Sequence, residues 1–514
     1  MLDLIIVVVY FLTILVVAVS GRDRKDVTSE QYFLGGRNLR WPSVALSTIA
    51  TNIQGYQFLG MMGSAYLYGL AQANLEINAV QGILMAAFIF VPLYLRHRIV
   101  TITQFIRMRM GKNVALAYSV ANLALFATIT LGAALFWGAY AADLVFGDYL
   151  SFLHEDRIYR ICILIVGLGV FSAIYTYLGG LAAVVRTDII QFGILLAGGL
   201  AVLFVAVHEL GGWAELYRKV PEKMHLHLPV NHEKLPWIHV FGLFLLNINY
   251  WCANQTVMQR SLAARSLKEA QIGLMVGGVM KYVMAVVIVV PGIALYGILG
   301  EGGLEDPDMA FPYLVTTYLP IGIKGLILCA LFASLMSTVD STFNSLATLF
   351  SIDIYKEYIN KEATDRQIVA AGRRTILFTL LTGIVMGLVL LYVKFENPEA
   401  AFTHTLNNLR YYINCGIVVI ICGAAFLAFP RHRISLAAFL STIPLHLIII
   451  AIFPEMNYFV RAMWVILVAF AILAIGSGFK FKPWRELFHA EEAVIRRVGW
   501  GLLLSLALLH LVFH

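Results

Sequence analysis

The sequence predicts an all-α integral membrane protein with fourteen transmembrane helices, and three observations carry that expectation. Hydrophobic residues make up 60% of the 514 and charged residues only 13%, against roughly 45–50% and about 25% for an average soluble domain. Apolar runs of about 20 residues, enough to cross a bilayer, recur from Leu4 to Phe513 with no long polar stretch between them. The basic residues gather in alternate gaps between those runs. An ordinary soluble enzyme is excluded.

In chain order the expected spans are 3–20, 42–68, 74–95, 113–146, 158–177, 180–207, 236–258, 269–299, 321–355, 367–393, 401–429, 434–453, 457–479 and 493–513. If the N-terminus is outside, most of the 37 basic residues, from Arg22, Arg24 and Lys25 through Arg260, Arg265 and Lys268 to Arg496 and Arg497, lie in cytoplasmic loops. That asymmetry predicts a plasma (inner) membrane protein with both termini outside. It also accounts for the net charge of +7 without a nucleic-acid partner. Lys281 and Arg410 lie deepest inside their spans among the basic residues, which marks them as functional candidates.

The first span ends in Ala18-Val19-Ser20, like a signal-peptide cleavage site. Its front carries Asp3 and its rear Arg22, Arg24 and Lys25, the reverse of a secretory signal, so a retained leading helix is expected. The five cysteines lie inside apolar segments without paired spacing and receive no redox or metal role. His225, His227 and His232 in the outer loop 208–235 could bind a metal by spacing, but a solvated loop is the simpler reading.

The span 42–68 is interrupted by Ala50-Thr51-Asn52-Ile53-Gln54-Gly55-Tyr56-Gln57, and 236–258 by Asn247-Ile248-Asn249-Tyr250-Trp251-Cys252-Ala253-Asn254-Gln255. Lipid does not tolerate such segments, which are stable only where protein or a watery cavity satisfies them. Leaving aside the leading helix, they fall in the first and sixth helices of two five-helix sets, 42–207 and 236–429, with three trailing helices over 434–513. Matched broken helices are the mark of an inverted-repeat secondary transporter with a midplane site. Polar contacts between packed helices are the alternative.

Unwinding frees carbonyl oxygens, which suit a hard cation. Ser334, Ser337, Thr338, Ser341 and Ser345 share one face of the span 321–355, beside Asp340 and Asn344, and are placed to complete a cage. Lys281 lies about 12 residues into its span, roughly 18 Å from the boundary, too deep to reach water easily, so it needs a polar partner or a cavity. Asp188 and Glu76 stand at helix starts, where an acid complements the dipole.

With these residues in view, the chain resembles the sodium/solute symporter family, most closely its sodium/glucose cotransporter branch. The likeness is carried by Tyr32-Phe33-Leu34-Gly35-Gly36-Arg37, Ala50 to Gln57, Glu76-Ile77-Asn78-Ala79, Tyr177 to Val184 with Thr187-Asp188, and Asn247 to Ala264. Its densest part is Ala333-Ser334-Leu335-Met336-Ser337-Thr338 through Asn344-Ser345 to Ser351-Ile352-Asp353-Ile354-Tyr355. It runs from about residue 3 to 393.

The resemblance implies a leucine-transporter-type 5+5 inverted repeat and alternating access driven by co-transported sodium. Carried over by position, the sodium site comprises the carbonyls of Ala50, Ile53 and Ser334 and the hydroxyls of Ser337 and Thr338. Substrate contacts correspond to Asn52, Gln57, Glu76, Asn247 and Lys281, with Met61, Tyr250 and Trp251 as gate residues. Such side chains supply the donors and acceptors a hydroxylated ligand needs. A second cation site is implied at Asp188, Asp340 and Ser341, although relatives usually place a small hydroxyl residue at position 340. A pair between Asp340 and a basic residue such as Arg186 is the structural alternative.

The tenth repeat helix departs from the family, reading Thr403-His404-Thr405-Leu406-Asn407-Asn408-Leu409-Arg410-Tyr411-Tyr412. Asn407 takes the place of a glutamine ligand after a one-residue shift. Leu75 and Tyr56 also differ from relatives. The expected function is therefore a sodium-driven symporter of a sugar or polyol. The alternatives are symport of an amino acid, organic acid or sialic-acid-like solute, or a non-transporting sodium and solute sensor. No paired nucleophile and base, zinc motif or phosphate loop points to an enzyme.

Overall fold

The computed structural model of the protein describes residues 2–20, 27–55, 57–396 and 402–514, the side chains of 402–405 and 407 excepted. Tyr56 and the Asn407 side chain therefore lie outside the described residues. Among those residues the secondary structure is helical throughout, with isolated bridges and no strand.

The helices that frame the site are α1 (Leu2–Val19), α2 (Trp41–Asn52), α3 (Met62–Tyr68), α4 (Asn74–Ile77), α5 (Leu131–Phe146), α6 (Arg157–Leu210), α7 (His239–Ile248), α8 (Gln255–Leu262) and α9 (Leu267–Leu299). They are followed by α10 (Ile323–Thr348), α11 (Asp365–Glu396), α12 (Phe402–Phe426), α13 (His432–Ile452), α14 (Tyr458–Gly476) and α15 (Ala493–Val512). Among the described residues, eleven helical stretches are long and apolar enough to cross a membrane. The count differs from fourteen for local reasons. The expected spans 158–177 and 180–207 run together in α6, and 42–68 shares its second half with 74–95 in the continuous stretch Gln57–Arg96. The span 236–258 is divided into α7 and α8, each too short to qualify.

Inside α6 the helix is kinked at Gly180, whose φ of 56° and ψ of −151° suit glycine. A Cβ there would also strike the Tyr32 carbonyl. The most apolar window of the stretch Ile323–Ile359, which contains α10, is 94% buried, whereas those of α13 and α15 are 28% and 22% buried. The centre of the bundle is therefore α10, surrounded by α1, α2, α5, α6 and α11. The late helices are peripheral and turn Leu440, Leu447, Leu504 and Leu508 outward, as lipid-facing helices do. At the centre Gly138 of α5 lies against Leu335 of α10, and a Cβ at 138 would collide with that side chain. Removing the side chain lets two helix backbones approach.

The leading helix is fastened to this centre. Asp3 accepts hydrogen bonds from the Gly322 and Gly325 amides at 2.8 and 2.6 Å. It thereby satisfies donors exposed at the start of α10 and meets the positive end of that helix dipole.

Candidate functional site

Two interruptions organise the site. Between α2 and α3 the backbone leaves the helix at Ile53 (φ −83°, ψ 114°) and re-enters through a π-helical turn, Gln57–Met61. Between α7 and α8 it passes through a π turn, Asn249–Ala253, and leaves the helix at Asn254 with the same φ and ψ. The polar runs expected to break their spans do so.

At the first break, the Ser334 hydroxyl of α10 donates to the Ile53 carbonyl at 3.0 Å. The Thr338 hydroxyl lies 3.1 Å from the Ser334 carbonyl and 3.4 Å from the Thr51 carbonyl. Ile53, Ser334 and Thr338 of the expected sodium set are thus brought together, with Ala50 buried one turn before the break. Ser337 points elsewhere and donates to Asp188 Oδ1 at 2.6 Å.

The second candidate cation cluster lies alongside. Tyr175 donates to Asp340 Oδ2 at 2.5 Å, and Ser341 lies 3.3 Å from Asp340 Oδ1 and 3.0 Å from the Thr51 hydroxyl. From the sequence Arg260 is expected in a cytoplasmic loop. In the structure it is fully buried in α8, which packs against α2 and α10. Its guanidinium reaches Asp188 Oδ2 at 3.2 Å and Ser47 at 3.0 Å, and it also bonds Ser341. A cationic side chain therefore occupies the space between Asp188 and Ser341. Arg186 does not pair with Asp340; it donates to the Ala18 carbonyl. The sequence clue to Arg260 is its place five residues after the polar run 247–255.

Beyond the first break lies a cavity of about 400 Å³. Each expected substrate or gate residue whose side chain is described lines it: Asn52, Gln57, Met61, Glu76, Asn247, Tyr250, Trp251 and Lys281. Lys281 is 1% exposed, as its depth required, and its ammonium forms an ion pair with Glu76 and donates to Asn52 Oδ1 at 2.6 Å. Gln57 donates to the other Glu76 oxygen at 2.6 Å. The Trp251 ring centre lies 5.9 Å from the ammonium. Asn247 lines the wall while donating to the Asn78 carbonyl at 2.9 Å. Burying a lysine and a glutamate is costly, and their charges are tolerated here because each meets its opposite and further polar groups.

A smaller chamber of about 90 Å³ lies beneath and reaches Thr51, Thr338 and Asn254. Gln54, Asn249, Tyr250, Arg410 and Asn414 line both spaces and form the throat between them. Asn414 was missed in the sequence. Its signal was a polar residue one helical turn from an arginine inside a span.

The histidines of the loop 208–235 are not simply solvated. His225 Nδ1 lies 2.8 Å from the His514 carbonyl, and His227 Nε2 lies 3.0 Å from His510 Nδ1 of α15. Partial burial, with a smaller effect of His514, holds the His227 imidazole below its ordinary value. Among the described residues no group of three or more His, Cys, Asp or Glu side chains is placed to hold a metal ion.

A helical bundle with two unwound helices beside a polar cavity in its interior is the arrangement of a membrane transporter. The model of the sodium:solute symporter family matches residues 32–421, and the chain belongs to that family. Sodium is the family's co-transported ion. The chain is 33% identical over 410 residues to the sodium/glucose cotransporter of Vibrio parahaemolyticus, covering 74% of this chain and 73% of that protein. It is 32% identical over 422 residues to sodium/glucose cotransporter 4 of Mus musculus, covering 74% of this chain but 59% of that longer protein. Its fold is similar to the substrate-bound, outward-open structure of a Na⁺-coupled sialic acid symporter, with a TM-score of 0.78, 18% identity, and coverage of 94% of this chain and 99% of the other. The fold is of the leucine-transporter type.

Proposed function

We propose that the protein is a sodium-driven symporter of a sugar or polyol that works by alternating access. The observation that carries this reading is the junction at Asn52 and Ile53. On one side the freed carbonyls face the hydroxyls of α10; on the other, Asn52 holds Lys281, which holds Glu76, which holds Gln57.

In this reading sodium binds among the carbonyls of Ala50, Ile53 and Ser334 and the hydroxyls of Ser337 and Thr338, joining α2 to α10. Ser337 must then turn from Asp188. The substrate's hydroxyl groups exchange hydrogen bonds with Asn52, Gln57, Glu76, Asn247 and Lys281. Asn407 is a further proposed ligand, and Met61, Tyr250 and Trp251 close over the site. Sodium favours substrate binding because both sites share the end of α2. The cluster of Asp188, Asp340 and Ser341 already contains the Arg260 guanidinium, so we assign the coupling ion to the first break.

The proposed arrangement is fourteen crossings. It has one leading helix, five-helix repeats at 42–207 and 236–429, three trailing helices, and both termini outside the plasma membrane. The cavity mouth then faces outward. Purified protein in proteoliposomes should accumulate at least one sugar or polyol only under an inward sodium gradient. If a broad panel shows neither sodium-dependent uptake nor a thermal shift, the sugar assignment is wrong.

A further inference from the structure

We infer that Asp353 holds the inward release route shut by accepting a hydrogen bond from Thr101, and that this bond parts in each transport cycle. The inference rests on the alternating-access reading and adds a positioning residue outside the ion and substrate sites.

The two chambers mark the route. The large cavity reaches the surface at the exposed Asp306. The lower chamber runs on past Tyr250 to Asn122, Asn254, Thr256 and Thr342. Three elements meet there: the helix Lys112–Leu125, which carries Asn122; α8, capped by Asn254; and α10, which carries Thr342. A solute leaving on this side requires them to part.

One turn of chain spans their junction. The Gln255 amide of α8 donates to the Val100 carbonyl at 3.1 Å and accepts from the Ile102 amide at 3.1 Å. Between them, the Thr101 hydroxyl donates to Asp353 Oδ1 at 2.6 Å. Asp353 belongs to the π-helical stretch Leu349–Ile359 that continues α10, within the run Ser351 to Tyr355 that the ion and substrate sites leave unused. Thr101 is fully buried and Asp353 is 7% exposed.

The two anchors are unequal. Gln255 clamps the turn with two bonds, and Tyr118 of the helix Lys112–Leu125 adds a third tie to the same broken helix at Ala253. On the other side the turn has the Thr101 bond, and one helical turn beyond Asp353 Glu357 pairs with Arg107, where both side chains reach water. An ion pair in contact with water contributes little, whereas a buried hydrogen bond to a carboxylate contributes more. The seam that can part therefore runs between Thr101 and Asp353. The carboxylate also sets the condition for parting. Left without its donor in a dry interior it is costly, and water entering the lower chamber removes that cost. The latch thus stays closed until the route is wet.

The experiment places a reporter thiol in the lower chamber with Thr256→Cys and follows its reaction with a small, membrane-impermeant methanethiosulfonate. Membrane vesicles of both orientations are used, with sodium present and no solute added, and protein without the reporter gives the background of the native thiols. Thr101→Val keeps the shape of the side chain and removes the hydroxyl; it and Asp353→Ala should each raise labelling from the side of the Arg107–Glu357 pair at least fivefold. Labelling from the cavity mouth should stay within twofold. Thr101→Ser and Asp353→Asn retain a donor and an acceptor and should stay within twofold of the parent on both sides. Combining Thr101→Val with Asp353→Ala should add nothing to either alone. Equal labelling of the parent and Thr101→Val overturns the inference. A rise on both sides also overturns it, because that marks a loosened fold rather than an opened route. Should Asp353→Ala fail to fold, Thr101→Val and its rescue by Thr101→Ser decide. No sugar enters the measurement, so a one-sided rise together with a failed sugar panel overturns the substrate class alone.

Discussion

The two unwound segments share their dihedral angles and differ in what closes them. At the second break the Cys252 and Ala253 carbonyls accept hydrogen bonds from the buried phenols of Tyr94 and Tyr118 at 2.7 and 2.6 Å. The Asn254 side chain accepts from the Thr256 amide at 2.9 Å, capping α8. At the first break the Ile53 and Thr51 carbonyls meet the small hydroxyls of Ser334 and Thr338. A phenol on a rigid ring can satisfy a carbonyl but cannot readily leave it. A serine or threonine hydroxyl can rotate about one bond and present lone pairs to a cation. On the proposed sodium assignment, unwinding alone does not make an ion site: the freed oxygens must also be closed by groups that can change partner. The π turns follow the same distinction. One comes after the break and opens towards the cavity at Gln57 and Met61, while the other comes before it and carries Tyr250 and Trp251 into the same cavity.

The largest expected effect comes from severing the first break from the cavity. Lys281→Met leaves Glu76 buried without its counter-charge, at a cost of about 3–5 kcal/mol, and should abolish substrate uptake. Adding Glu76→Gln should restore much of the melting temperature without restoring transport. If the single variant is as stable as wild type, the ion pair is not holding the cavity together. Next in size, Thr338→Ala should raise the sodium concentration for half-maximal uptake tenfold or more, a loss of at least about 1.4 kcal/mol.

Tyr118→Phe tests the sealed break. It should lower stability by about 1 kcal/mol for the unmade bond to Ala253, measured as a melting shift, with sodium affinity unchanged. A sodium defect comparable to that of Thr338→Ala would erase the distinction between the breaks. The smallest effect is expected for Ser345→Ala. Its hydroxyl donates to Gln259 at 3.1 Å, two turns beyond Thr338, so the sodium dependence of uptake should move less than twofold. Equal defects at 338 and 345 would count against the assigned cage.

Composition and order alone determined the all-helical membrane class, the positions of both breaks and the hydroxyl stripe on α10. Each follows from local rules: apolar length, polar residues that lipid rejects, and the helical period. The same patterning made Lys281 a buried residue in need of a partner, but not which of the distant polar residues would meet it. Glu76 is 205 positions away, and only the packing of α4 against α9 joins them. Arg260 is the clearest case. In sequence it follows a polar run and reads as a loop residue, and local pattern cannot show that α8 packs against α2 and α10 and brings it to Asp188. The throat was likewise invisible, because Gln54, Asn249, Arg410 and Asn414 belong to three separate segments. Hydrophobic periodicity records which residues avoid water, whereas a partner for a buried charge is chosen by how whole helices pack, and that choice exists only in the assembled bundle.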